Sequence, residues 1–158
     1  MRAYLLTLAR TLLVTLWAGS LWTVGYLAAP LFFATLPDRA LAGSVAGSLF
    51  RAEAWLSMAC GILLLVLLRA DTHLASRKAC TRIVIGMLLC VLIGYFALQP
   101  FMAEIRSAAA NNGGVMDEIL RARFGMLHGV ASIIYFLQSA LAVALVVKTS
   151  PTRHLTNH

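Results

Sequence analysis

The side chains able to do acid–base or binding chemistry in this sequence stand in or beside long apolar runs. His128 lies in the stretch 119–147, which from Phe124 to Val147 runs 24 residues without a formal charge. Such a run crosses a ~30 Å hydrocarbon layer as a helix rising ~1.5 Å per residue. At helical spacing His128, Ser132, Tyr135 and Ser139 form one stripe, with Gln138 beside it. Hydrocarbon offers these groups no hydrogen-bond partner, so the stripe is expected to face other helices. Arg121 and Arg123 stand just ahead of it, and Arg51 and Glu53 flank another apolar run. Arg51 and Glu53 are ~200° apart around a helix, so each needs a partner on another element. An ionisable residue inside a membrane segment is a functional candidate by default. The expectation is one polar site made of Arg51, Glu53, Arg121 or Arg123, and His128, with His128 as hydrogen-bond donor and Glu53 orienting it. The plainer alternative makes His128 an interhelical hydrogen-bonding group and lets Arg51 and Glu53 snorkel to an interface.

Other chemistries find less support. There is no nucleotide-binding glycine loop, no Ser-His-Asp arrangement and no Cys-x-x-Cys. Cys60 and Cys90 fall in apolar segments and Cys80 in a basic loop, which reads as three reduced fillers without a disulfide framework. A bis-histidine haem needs two facing histidines, and only His128 is embedded, since His154 and His158 belong to a polar tail. Met102, Met116 and Met126 approach the same end as His128, which permits a soft metal such as copper. Met126 and His128, however, are two positions apart and point to different helix faces, so the methionines read as packing. No metal site or cofactor is assigned; haem or copper at His128 remains the lesser alternative. Nothing marks a substrate, and an enzyme is not the expectation.

The elements that must position these residues are membrane helices. Of 158 residues, 61% are hydrophobic and 12% charged, with mean hydropathy +0.85. Soluble domains carry about 25% charged residues, so this is a single integral membrane domain, and the net charge of +7 does not point to nucleic acid. Basic residues gather at segment ends, where they set topology and meet anionic headgroups. Four spans are predicted near 11–33, 49–68, 83–102 and 124–147. The first reads as a retained helix rather than a cleaved leader, because its uncharged run from Thr11 to Pro37 is too long for a signal peptide. Pro30 should bend or stop it.

Asp38 can cap the next helix, and nothing halts that helix before Leu68. Residues 39–50 are then an interfacial helix or an extension of the second span. Gly43, Gly47, Arg51, Ala54, Met58 and Gly61 share a face, a small-residue seam suited to close helix contact. The third span ends around Pro100, and 111–114 (Asn-Asn-Gly-Gly) reads as a break. A last helix starts near Val115, with Asp117 and Glu118 at its positive end and Asp117 paired to Arg121, and Pro151 terminates it.

An even number of spans puts both termini on one side. Eight Lys/Arg fall on that side and five on the other, which places both termini in the cytoplasm. The candidate site residues then gather at the outer end.

Three motifs resemble a known family: Trp17-Ala-Gly-Ser-Leu-Trp-x-x-Gly-Tyr-x-x-Ala-Pro-x-x-Phe33, Leu36-Pro-Asp-Arg-x-x-Ala-Gly-x-x-Ala-Gly-x-Leu-Phe-Arg-x-Glu-Ala-Trp55, and Arg123-Phe-Gly-x-Leu-His-Gly-x-Ala-Ser132. In order and spacing the chain resembles the bacterial DUF4149 membrane proteins, which are similar to the transmembrane protein 205 family. The resemblance implies an all-α four-helix membrane bundle in a bacterial inner membrane. It places emphasis on Pro30, Gly43, Gly47, Phe50, Glu53, Gly125, His128 and Gly129, and carries no biochemical activity with it.

The functional expectation is a lipid-embedded binding or accessory protein. It is either a small subunit of a larger membrane complex or a bundle that binds lipid or quinone. The alternatives are a small-solute or lipid transporter working as a homodimer, and a haem- or copper-associated redox protein.

Overall fold

A computed structural model describes residues 1–71, 76–111 and 117–150. They form four antiparallel helical spans, and every described element is helical. The first span comprises α1 (Arg2–Trp22), a π-helical segment (Thr23–Ala28) and α2 (Ala29–Thr35). The second is one unbroken helix, α3 (Arg39–Ala70). The third comprises α4 (Arg77–Val91), a second π-helical segment (Leu92–Leu98) and α5 (Gln99–Asn111), and the fourth is α6 (Glu118–Thr149).

The spans are longer than the hydropathy alone predicts, and prolines explain how. Pro30 and Pro100 are each the second residue after a π segment. A proline inside a helix has no N–H to donate, and its ring crowds the carbonyl four residues back. Widening the preceding turn to π spacing accommodates that crowding without breaking the helix. Neither proline therefore stops its span: the first continues to Thr35 and the third to Asn111.

Residues 39–50 are a continuous extension of the second span, started by Asp38, whose carboxylate accepts from the Ala40 N–H at 2.8 Å. Asp117 does the same for α6, accepting from the Leu120 N–H at 2.7 Å. It acts as the cap and makes no ion pair with Arg121. The predicted start at Val115, the break at 112–114, Met116, and the tail with Pro151, His154 and His158 lie outside the described residues.

The spans form a ring in which α1 and α4 each touch both α3 and α6. This leaves α3 and α6 on a diagonal. Trp17, Leu21, Leu64, Leu68, Val84, Met87 and Leu145 meet in the core, together with Cys60 and Cys80. Cys80 is thus a buried residue of α4 and not part of a loop; Cys60, Cys80 and Cys90 are all free thiols. Outward faces carry exposed Leu12, Leu16, Ile62, Val66, Ile85, Leu89, Phe136 and Val143, the surface a hydrocarbon solvent requires.

At the end holding the α3–α4 turn, Arg10 pairs with Asp71 and the Ser76 hydroxyl donates to the Lys148 carbonyl at 3.0 Å. Of the three glycines of the small-residue seam only Gly61 is close-packed: a Cβ there would come 2.5 Å from Leu88 Cδ2. At Gly43 and Gly47 the nearest atoms to such a Cβ are 4.0 Å and 3.8 Å away, ordinary contact distances.

Candidate functional site

The polar centre of the bundle is Glu53, which is 5% exposed near the middle of α3. Its partners come from its own helix and from α1. Ser57, one turn along α3, donates its hydroxyl to Glu53 Oε1 at 3.1 Å. The Ser57 oxygen in turn accepts the Trp17 indole N–H at 2.7 Å. Ser20 of α1 stands 3.3 Å from Glu53 Oε1 and 3.1 Å from the Trp17 carbonyl, so its one hydroxyl proton is shared between two acceptors. A directed chain of donors thus runs from the indole through Ser57 to one carboxyl oxygen. Among the described residues the second oxygen takes no hydrogen bond.

Aromatic rings from the first and last spans complete this layer. The Tyr135 hydroxyl donates to the Leu21 carbonyl at 2.6 Å, and its ring lies edge-on to Phe50 and to Tyr26, with centroids 5.4 Å and 6.2 Å away. The Tyr26 hydroxyl donates to Ser139 at 2.9 Å. The Tyr135 ring fits because residue 25 is glycine: a Cβ there would sit 2.2 Å from Tyr135 Cε1. The hydroxyl contacts of Tyr26 and Tyr135 tie the π segment and its neighbouring turn to α6, at the point where the widened turn changes the helix register.

The residues expected to form one site are distributed differently. Glu53 is buried with two serines, while Arg51, Arg121, Arg123 and His128 are exposed. His128 stacks on Phe124, with rings 6° from parallel and centroids 6.1 Å apart. Among the described residues its ring makes no hydrogen bond, and the expected His128–Glu53 contact is not formed. The ring order of the spans is the reason, because α3 and α6 are diagonal and only a long side chain such as Tyr135 reaches across.

The predicted stripe on α6 divides along its length. Tyr135, Gln138 and Ser139 turn into the bundle, while His128 and Ser132 lie exposed above them. Past the π segment, α2 leans on α3 and makes no comparable contact with α6, which leaves the upper half of the stripe exposed. Gly125 and Gly129 lie on this uncovered part, with no atom within 4 Å of a Cβ placed on either. Arg123 borders a groove of about 480 Å³ between α5 and α6, together with Phe101, Glu104, Leu120 and Met126. Met102 is buried, apart from exposed Met126 and His128, and no group of three or more His, Cys, Asp or Glu side chains meets among the described residues.

Trp17, Ser20 and Ser57 are the site residues that sequence reasoning missed. The available signal was the pair of serines among bulky apolar neighbours in spans one and two, since hydroxyls in hydrocarbon segments seek polar partners on adjacent helices.

A family model described as "Domain of unknown function (DUF4149)" matches residues 12–111. The chain belongs to the DUF4149 family. The matched region contains the whole Trp17–Ser20–Glu53–Ser57 network as well as both proline-linked π segments, and α6 follows it. No curated protein and no solved structure matches the chain. Family and fold together describe an integral membrane protein with four spans.

Proposed function

We propose that this DUF4149 protein is a small accessory subunit of a larger membrane assembly, and that it docks through the uncovered far half of α6. The observation that carries this reading is the exposure of His128 on the same stretch of helix as the bare glycines Gly125 and Gly129. An imidazole facing hydrocarbon without a hydrogen-bond partner is costly, and a Gly-x-x-x-Gly step lets a second helix approach to backbone contact. One partner helix would satisfy both, seating its backbone on Gly125 and Gly129 and offering His128 a hydroxyl, amide or carboxylate. Arg121 and Arg123 just above favour an acidic end on that helix. The Glu53 network then serves to fix α1 against α3 and, through Tyr26 and Tyr135, to hold α6 in place.

The test is photocrosslinking from position 132, exposed one turn from His128 on the same stripe, in native membranes, followed by purification in mild detergent. A stoichiometric crosslink to another membrane protein is expected, lost in Gly129→Leu and weakened in His128→Ala. Crosslinks to lipid alone overturn the reading. Crosslinks to a second copy of the chain would give the face to a homodimer and overturn the larger assembly.

A second reading, a bundle binding lipid or quinone, is favoured by the second oxygen of Glu53, which takes no hydrogen bond among the described residues, one helical turn from the Phe50 ring that packs on Tyr135. A homodimeric transporter, or a haem or copper protein using His128, would draw its remaining groups from a second chain.

A further inference from the structure

We infer that the cleft between the end of α3 and the start of α4 is a binding site for the phosphate of an anionic phospholipid headgroup, a site independent of docking through α6. The cleft measures about 580 Å³ and is lined by Leu68, Arg69, Arg77, Lys78, Thr81 and Arg82. Four of those six side chains are cations, and none is a carboxylate. Nor can the chain readily supply one. Between Glu53 and Glu104 the sequence holds a single acid, Asp71, and Asp71 pairs with Arg10.

The opposite end of the bundle shows what the alternative looks like. There Arg39, Arg51, Arg106, Arg121 and Arg123 are interspersed with Asp38, Glu104, Asp117 and Glu118. Cations crowded around a concavity repel one another unless a counter-charge enters, and in a bilayer the abundant local anion is a lipid phosphate.

The local backbone adds to this. Arg77, Lys78, Thr81 and Arg82 occupy the first two turns of α4 on the side facing α3. Unlike Asp38 and Asp117, the residue preceding this helix does not cap it: the Ser76 hydroxyl points to the Lys148 carbonyl, to which it donates, and its oxygen accepts no N–H from the first turn of α4. Among the described residues the first N–H groups of α4 thus receive no side-chain acceptor, and the positive end of the helix stands beside the cations. Arginine forks suit the oxygens of a phosphate diester.

Full-length protein in neutral detergent, titrated with phosphatidylglycerol in mixed micelles and read by native mass spectrometry, tests the site. Retention of phosphatidylglycerol is expected, with phosphatidylcholine not retained at the same mole fraction. Each cation near an anionic surface contributes about fivefold in affinity, so Arg77→Gln/Lys78→Gln should weaken binding about 25-fold. Lys148→Gln removes a charge at the same end without lining the cleft, and should change binding by less than about twofold. Arg82→Gln alone should cost about fivefold, which keeps the test open should the double variant fold poorly. An equal loss from Lys148→Gln and from Arg82→Gln would mean a diffuse surface field and overturn the site. So would equal retention of phosphatidylcholine. Inorganic phosphate competing at lipid-like concentration would overturn the assignment to a lipid.

Discussion

Ser57 serves two neighbours at once, and that makes it the most informative single residue. Its oxygen accepts the Trp17 indole N–H while its proton goes to Glu53. Ser57→Ala therefore leaves a fully buried indole N–H without an acceptor and removes one of two donors to the carboxyl group. Leaving a buried donor unsatisfied costs about 1–3 kcal/mol, which should appear as a lowered thermal midpoint in detergent with span content unchanged by circular dichroism. Glu53→Gln should be milder than Glu53→Leu in the same measurement, because the amide oxygen still accepts from Ser20 and Ser57 whereas leucine strands both hydroxyls. A Glu53→Leu variant as stable as Glu53→Gln would show that the hydroxyl network contributes little.

At the scale of elements, glycines divide into those that must be small and those that merely are. Gly25 holds the Tyr135 ring, whose hydroxyl is anchored on Leu21, so an added Cβ meets a group that cannot swing aside. Gly25→Ala should cost about 1–3 kcal/mol, the usual penalty of overpacking. Gly47→Ala should be neutral or stabilise slightly, since its Cβ finds ordinary contacts near Gln99 and alanine is the better helix former. Thermal midpoints of the two variants compared side by side check the pair.

The same division shows what could be read in advance. Helix count, the Asp38 cap and the singularity of Glu53 follow from local rules of hydropathy, capping and charge cost. Which face meets which neighbour depends on the ring order of the spans, which no periodicity encodes. That order sends Glu53 to Ser20 of α1, beside Ser57 of its own helix, instead of to His128. The continuation through Pro30 and Pro100 was equally hidden, because a π turn leaves no residue signature beyond the proline that usually signals a stop.

For the whole molecule, charge asymmetry decides how the bundle sits across the bilayer. By the order of the spans along the sequence, eight of the thirteen Lys/Arg fall to the side of the α3–α4 connection and five to the other. The four acids at that other end, Asp38, Glu104, Asp117 and Glu118, reduce its net charge, but lysine and arginine set orientation while acids contribute little. The basic end also loses the full weight of Arg10, which is buried against Asp71. Setting Arg10 aside still leaves the excess on the same side, so the α3–α4 turn should face the cytoplasm. Lys78 and Asn111 are exposed at opposite ends of the third span and make suitable reporters. With the native cysteines replaced, Asn111→Cys should react with an impermeant maleimide on intact spheroplasts, and Lys78→Cys only after permeabilisation. The reverse pattern would put the basic cleft on the outer leaflet. Labelling of both from outside would be incompatible with a third span that crosses the membrane.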